Sequence, residues 1–164
     1  MNDNLELLAT GALIGIGGSL LIDAWSLVLR RVFGVTTLDY AMLGRWIGHF
    51  RRGQFAHKRI GAAEPVRGEQ LLGWAAHYGI GIAFAFLLLA IAGRSWAETP
   101  TIAPALLVGF ATVLAPWLVM QPAFGAGIAG SKSANPRAGR LRNLGTHFVY
   151  GVGLYGSALL LSLL

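Results

Sequence analysis

Three of the ionisable side chains lie well inside stretches of the sequence that are largely apolar, and they are Asp23, His77 and His147. A carboxylate and two imidazoles can take up a proton, bind a cation or ligate a metal. Ionisable groups inside a membrane are costly, so each of them is a functional hypothesis by default. These three residues are therefore the candidate site, and the apolar stretches must position them.

The apolar stretches number four, and we place them at 5–29, 71–93, 102–124 and 144–164. The chain is 55% hydrophobic and 12% charged, whereas a soluble domain carries about 25% charged residues. About 20 apolar residues cross the hydrocarbon core as a helix, which satisfies its own backbone groups in lipid. We predict an all-α polytopic membrane protein, a four-helix bundle that forms a single transmembrane domain over 1–164.

The basic residues are distributed unevenly between the connecting segments. Of the 13 Lys and Arg residues, 12 lie between spans one and two or between spans three and four, and the middle loop holds only Arg94. By the positive-inside rule both basic segments are cytoplasmic and both termini lie on the outer side of the membrane. The membrane topology thus accounts for the excess of basic residues, and a nucleic-acid partner is not expected. The expected partners are the lipid bilayer and, at the first basic loop, anionic lipid.

Four apolar residues of the first cytoplasmic loop recur at helical spacing. They are Leu43, Trp46, Ile47 and Phe50. This pattern predicts a short amphipathic helix from about Leu38 to Phe50 at the membrane interface, with Thr37 as its cap. The remainder of the loop reads as irregular, and we expect His49 and His57 to be solvated. The chain has no cysteine, which excludes disulfides and thiolate sites.

Small residues recur every four positions along the spans. They are Gly11, Gly15 and Ser19 in span one, Gly73 and Gly81 in span two, and Gly151 in span four. Rows at this spacing form packing ridges, and small side chains let two helix backbones approach closely. Asp23 and His77 continue these rows. We therefore expect both of them to face another helix.

The polar residues of the spans share one predicted depth. Asp23 lies about six residues, or about 9 Å, from the inner end of span one. His77 lies at a similar distance from the inner start of span two, and His147 lies slightly closer to the inner start of span four. Met120 and Gln121 lie near the inner end of span three. The sequence predicts one polar cluster of these five residues in the cytoplasmic third of the bilayer.

Two prolines interrupt the third span. Pro116 and Pro122 each remove a backbone hydrogen bond, and a glycine-rich run follows them. Interrupted helices in transporters often present backbone carbonyls to a bound ion or substrate. The alternative is a kinked helix whose carbonyls are satisfied by neighbouring groups.

Short matches indicate an internal repeat. His77-Tyr78-x-x-Gly81-Ile82-Ala83 matches His147-Phe148-x-x-Gly151-Val152-Gly153, and Leu13-Ile14-Gly15 matches Leu107-Val108-Gly109. These matches favour a parallel two-plus-two duplication with repeats at 5–93 and 102–164, related by an axis along the membrane normal. Glycine-rich transmembrane segments also produce such matches by chance.

Several stretches together carry a resemblance to a known family. They are GHFRRGQFAH, EPVRGEQLLGWAAHYGIGIAFA, LAPWLVMQPAFGAGIA and NPRAGRLRNLGTHFVYGVGLY. The chain resembles the small bacterial inner-membrane proteins of domain-of-unknown-function family 2938 over nearly its whole length. The resemblance implies a multi-pass inner-membrane location. It implies no activity, substrate or catalytic residue.

The leading functional hypothesis is transport or permeation of a small solute or cation by way of the polar cluster. A homo-oligomer fits this hypothesis, because four helices leave little room for an enclosed path. One alternative is a haem between His77 and His147, or a divalent metal held by those two residues and Asp23. Another is a structural or regulatory subunit of a membrane complex. Among these possibilities, we first expect a protein without a cofactor. We favour an enzymatic activity less than these functions, because the sequence shows no nucleophile–base pair, phosphate loop or acidic metal cluster.

The charge distribution makes a testable prediction about topology. Reporter fusions after Gly34 and after Lys132 should both read as cytoplasmic, and a fusion after Ser95 should read as periplasmic. The measurement is the paired activity of a periplasmic and a cytoplasmic reporter at each position. A periplasmic signal from either basic segment would overturn the predicted orientation.

Overall fold

A computed structural model describes residues 3–163, and the residues it describes form helices and turns without any strand. The helices are α1 Asp3–Phe33, α2 Tyr40–His49, α3 Glu69–Ala92, α4 Ile102–Ala111, α5 Gln121–Ala123 and α6 Pro136–Leu161, with a π-helix at Pro116–Met120 between α4 and α5. Short 3₁₀ turns lie at Phe50–Arg52, Ile60–Ala62, Arg94–Ala97 and Ile128–Gly130. The all-α prediction is confirmed.

Four helical stretches are long and apolar enough to cross a membrane, as predicted. They are Asn4–Phe33, Glu69–Ala92, Ile102–Ala123 and Pro136–Leu161. The last begins eight residues before position 144, because hydropathy locates the apolar part of a helix and not its end. Pro136 occupies the first helical position, where a missing N–H costs nothing, and the Asn135 side chain accepts a hydrogen bond from the Ala138 N–H at 3.1 Å.

The third span is broken before Pro116. Helix α4 ends at Ala111, and residues 112–113 form a turn. The Thr112 hydroxyl donates to the Gly109 carbonyl at 2.7 Å, which is a side-chain bond that competes with the helical ladder. Pro116 then begins the π-helix, because it has no N–H to continue the α-helical pattern.

The chain forms two compact units. The first unit comprises the residues up to Thr37, Tyr78–Thr112 and the residues from Gly145 onward. The second unit comprises Leu38–His77 and Val113–Leu144. Helices α3 and α6 contribute residues to both units.

Backbone contacts at glycines hold the first unit together. Gly15 of α1 lies so close to α3 that a methyl group there would come within 2.5 Å of the Ile82 Cα. A Cβ at Gly109 of α4 would lie 2.8 Å from the Cα of Gly151 in α6. A Cβ at Gly153 of α6 would lie 2.8 Å from the Cα of Gly18 in α1. Helix α1 therefore contacts both α3 and α6, and α6 also contacts α4.

Larger side chains fill the space around these contacts. Ile14, Leu88 and Leu154 are fully buried, and Tyr150 is 2% exposed. Large apolar side chains also lie on the outside of the unit, and the Leu107 side chain, for example, is 71% exposed. An apolar exterior of this kind is what contact with lipid requires, because lipid tails solvate leucine as well as a protein core does.

In the second unit, helix α2 crosses the first turns of α3. A Cβ at Gly44 would overlap the Glu69 carbonyl and lie 2.6 Å from the Gly73 nitrogen. Gly73 therefore faces α2, although its spacing in the sequence placed it on a ridge between spans. The helix begins at Tyr40 and not at Leu38, and its cap is Asp39, whose carboxylate accepts a hydrogen bond from the Ala41 N–H at 2.9 Å.

The apolar face of α2 is largely covered by protein. Leu43 is 4% exposed, and the Trp46 ring contacts Phe124 edge-on with centroids 5.8 Å apart. The Trp46 indole N–H also donates to the Phe55 carbonyl at 2.8 Å. A helix lies in the segment where the loop helix was predicted, and these partners fix it within its own unit, while its position at the membrane interface stays a prediction.

The close contact at Gly15 can be tested by adding one methyl group. We expect Gly15→Ala to destabilise the protein by about 1–3 kcal/mol, because the methyl group meets backbone that cannot rotate away. The measurement is the thermal unfolding temperature in detergent. Gly79→Ala on α3 is the matched control, since no atom lies within 4 Å of its Cβ position. Equal melting of Gly15→Ala and the parent would contradict the packing argument.

Candidate functional site

Each of the three ionisable span residues lies next to a hydroxyl group. In the first unit the Tyr78 hydroxyl donates a hydrogen bond to Oδ2 of Asp23 at 2.8 Å. The pair joins α1 to α3 near the end of α1 that carries Arg30 and Arg31. A neutral hydroxyl orients a carboxylate and reduces the cost of its charge without neutralising it.

His147 is held by the break in the third span. Its Nδ1 lies 2.9 Å from the Thr112 hydroxyl and 3.3 Å from the Gly109 carbonyl. Since the Thr112 hydroxyl donates to the same carbonyl, a proton on Nδ1 lets the imidazole donate to both oxygens. This hydrogen bonding fixes the ring and directs Nε2 away from Thr112.

His77 belongs to the second unit, where its neighbour is Tyr40 at the start of α2. The Tyr40 hydroxyl lies 3.3 Å from His77 Nε2, and the two rings stack with centroids 4.3 Å apart. The Trp74 ring contacts the imidazole edge-on at 5.9 Å. His77 therefore contacts two aromatic rings.

The five residues of the predicted cluster belong to both units, and their convergence stays a prediction. Asp23 and His147 lie in the first unit, and their hydrogen bonds go to different partners. His77, Met120 and Gln121 lie in the second unit. Gln121 Oε1 is buried and has no hydrogen-bond partner among residues 3–163.

The hydroxyl partners Tyr78, Tyr40 and Thr112 were missed in the sequence. Tyr78 follows His77 directly, and a tyrosine within a span is itself a signal for a polar partner because its hydroxyl must be satisfied. Thr112 lies one turn before Pro116, at the carbonyl-rich end of an interrupted helix. No comparable signal in the sequence indicates Tyr40, because its contact depends on how α2 packs.

The second unit brings together two of the sequence motifs quoted above, GHFRRGQFAH and MQPAFGAGIA. The His57 N–H donates to the Ala123 carbonyl at 2.8 Å, and the Ile60 N–H donates to the Phe124 carbonyl at 3.1 Å. We call this contact of residues 57–60 with residues 123–125 the junction. Gly125 completes it with a φ of 86°, and a Cβ at Gly125 would overlap the Lys58 carbonyl, so only glycine fits.

Arg45 fastens α2 to the loop and to α3. Its Nε and Nη2 donate to the two carboxylate oxygens of Glu69 at 2.9 and 2.7 Å. Its Nη1 donates to the carbonyls of Ile60 and Ala63 at 3.4 and 3.2 Å. The hydrogen bonds to Glu69 raise the pKa of Arg45 above its ordinary value. The arginine is thus an internal clamp and not a free surface charge.

His49 and His57 are buried and in contact, contrary to the expectation that both would be solvated. They are 2% and 8% exposed, and His49 Nδ1 lies 2.6 Å from His57 Nε2. The other ring nitrogen of His49 lies 3.0 Å from the Glu64 carbonyl. The expectation failed because polar neighbours in the sequence do not show which segment folds over them.

The remaining ion pair of the second unit is superficial. Arg52 donates to the Glu64 carboxylate at 2.6 Å, and both side chains are more than half exposed. The hydrogen bond to Arg52 lowers the pKa of Glu64, although such an exposed pair contributes little to stability.

Comparisons with known proteins give one match. A family model described as "Protein of unknown function (DUF2938)" matches residues 12–161. No curated protein and no solved structure matches the chain. Within residues 3–163, no three His, Asp or Glu side chains are grouped so that they could hold a metal ion.

The clamp can be tested by removing its charge. We expect Arg45→Gln to destabilise the protein by about 2–4 kcal/mol, because Glu69 would remain as a largely buried carboxylate without its ion pair. Arg51→Gln, an exposed arginine of the same loop, is the control and should change stability by less than about 0.5 kcal/mol. Thermal unfolding of both variants in detergent provides the comparison. Similar melting temperatures would show that Arg45 is not a clamp.

Proposed function

This chain belongs to the DUF2938 family, proteins of unknown function, and we propose that it transports a small cation or another small solute across the bacterial inner membrane. Asp23 carries the proposal, because it is a carboxylate within a span and is hydrogen-bonded to Tyr78 at 2.8 Å. An ionised aspartate at the centre of a membrane helix costs about 2.5–3.5 kcal/mol on insertion scales. Because the charge of Asp23 is costly in the membrane, we infer that the residue has a function.

A proton or a cation bound at Asp23 would cancel its charge within the span. Occupancy would then change the cost of exposing this part of α1 to lipid, which is the physical basis for coupling binding to movement. The Tyr78 hydroxyl supports this role by holding the carboxylate in one orientation in both states. It does not compete with the cation electrostatically, because it is neutral.

The glycine contacts of the first unit support the proposed duplication. Gly15 lies against Gly81 and Ile82, and Gly109 lies against Gly151. In the aligned repeats Gly15 corresponds to Gly109, and Gly81 corresponds to Gly151. Equivalent residues therefore make equivalent contacts in α1–α3 and in α4–α6. Many transporters are built from two such repeats.

The third span supports a binding role in the second unit. Trp117 Nε1 and Gln121 Oε1 are buried without a hydrogen-bond partner among residues 3–163. The two residues are four apart around the π-helix, so they lie on a similar face of it. A buried donor and a buried acceptor without partners are costly, and a polar solute would satisfy both.

The proposed orientation places the charged surface of the second unit in the cytoplasm. This unit contains ten Lys and Arg residues and three Asp and Glu residues, a net charge of +7. Anionic lipid headgroups are the partners that such a surface would attract. A homo-oligomer is also part of the proposal, because a path for solute needs more wall than four helices provide.

The experiment is a flux assay with purified protein in liposomes. Fluorescent dyes for H⁺, Na⁺ and K⁺ report cation entry under an imposed gradient, with empty liposomes as the baseline. We expect Asp23→Asn to lower the flux about tenfold or more while melting within a few degrees of the parent, because the amide keeps the shape and loses the charge.

Glu98→Gln is the matched control for this assay, since it makes the same exchange in an exposed loop residue. Its flux should equal that of the parent. Cation flux from the parent at the baseline level, or undiminished flux from Asp23→Asn, would reject cation transport through Asp23. An absorption spectrum of the same preparation tests the haem alternative, which requires a Soret band.

A further inference from the structure

The hydrogen bonds around His49 and His57 determine where their protons lie. The Glu64 carbonyl can only accept, so the His49 Nε2 that faces it at 3.0 Å carries a hydrogen. In a neutral ring this leaves a lone pair on His49 Nδ1. His57 Nε2, 2.6 Å away, must then carry the hydrogen that bridges the two rings. The neutral pair therefore has only one consistent arrangement.

This arrangement leaves a buried lone pair on Nδ1 of His57. That nitrogen is buried and has no hydrogen-bond partner among residues 3–163, and the whole side chain is 8% exposed. The pair can take up one proton, which the two rings would share. It cannot take up two, because two imidazolium rings would then face each other at 2.6 Å with little water between them.

The pair adjoins the junction, because His57 belongs to both. The His57 N–H belongs to the junction through its bond to the Ala123 carbonyl, and Gly125 lies against the carbonyls of His57 and Lys58. On the other side, His49 ends α2. A change in the contact between the rings therefore acts on the loop that residues 57–60 form over residues 123–125.

We propose that His49 and His57 form a proton-binding site, and that uptake of protons by the pair releases residues 57–60 from residues 123–125. The docked state holds at most one shared proton. In the released state both imidazoles are solvated and each takes up a proton of its own. Acidification therefore favours release, independently of any transport activity.

Two carboxylates, Glu64 and Glu69, interact electrostatically with His49, and each of them is also paired with an arginine. Helix α2 contributes Arg45, which is paired with Glu69 at the start of α3. The loop contributes Lys58, which is exposed, and Glu64, whose carboxylate is paired with Arg52. Residues 121–125, Gln-Pro-Ala-Phe-Gly, contain no titratable group.

The direction of the pH effect follows from the environment of His57. Burial, and then the charge of His49, lower the pKa of His57 in the docked state below its ordinary value. A solvated histidine titrates near about pH 6.5, so the released state binds more protons below that pH. The stability of the docked state is fully present above about pH 6.5 and is lost as the pH falls through the lowered pKa.

A single introduced thiol can report the release, because the chain has no cysteine. Ala123→Cys places the thiol under the junction at a position that is 8% exposed, and Ala134→Cys places it at an exposed position in the same unit. The measurement is the ratio of maleimide modification rates at the two positions, in which the intrinsic pH dependence of a thiol cancels. We expect this ratio to rise about tenfold between about pH 6.5 and about pH 5.5, the slope of one proton.

His57→Gln in the same two backgrounds is the decisive variant. The glutamine amide can donate to His49 Nδ1 in place of His57 Nε2 and has no titratable group of its own, so the ratio should stay flat with pH. A flat ratio in the parent, or an equal rise in His57→Gln, would overturn the proposal. If His57→Gln does not fold, amide hydrogen exchange at Ile60 in the unmodified protein decides, after correction for intrinsic rates. Exchange that does not accelerate below about pH 6.5 would likewise overturn the proposal.

Discussion

Helices in a membrane gain nothing from removing apolar surface from water, because lipid tails solvate leucine as well as a protein core does. The favourable interaction that remains between the helices is close packing of one backbone against another. In the first unit this packing takes place at glycines. Gly15 against Ile82, Gly18 against Gly153 and Gly109 against Gly151 leave no room for a side chain. The position of Asp23 beside Tyr78 depends on this spacing, because a wider separation of α1 and α3 would break their hydrogen bond.

The second unit differs from the first in the contacts that hold its segments together. Its segments are joined by directed polar contacts, with Arg45 bonded to Glu69 and to two loop carbonyls, and with two backbone hydrogen bonds at the junction. Apolar packing of Leu43 and Trp46 fills the space between these contacts. A loop of mixed charge, glycine and proline thus folds into a defined structure because its polar groups find partners, although its composition alone indicates an irregular segment.

The sequence was sufficient for the helical class and for the four long apolar helices, because both follow from hydropathy and length. It was not sufficient for the partners of the polar residues. Whether Asp23 meets Tyr78 or another group depends on the rotation of α1 about its axis, and a spacing of four residues limits this rotation only loosely. His57 contacts Ala123, and His49 contacts His57 and the Glu64 carbonyl, and no local pattern in the sequence reveals these contacts. The five-residue polar cluster stays a prediction.

The junction also has a consequence for how the protein is made. His57 and Ala123 are 66 residues apart in the chain, so the loop leaves the ribosome well before its partner segment exists. At about 5–20 residues per second, this delay lasts about 3–13 s. During that time the N–H groups of His57 and Ile60 lack the carbonyls that they bond in the finished protein. The loop can reach its final structure only after the third span has been synthesised, so assembly of the second unit is necessarily a late event in biogenesis.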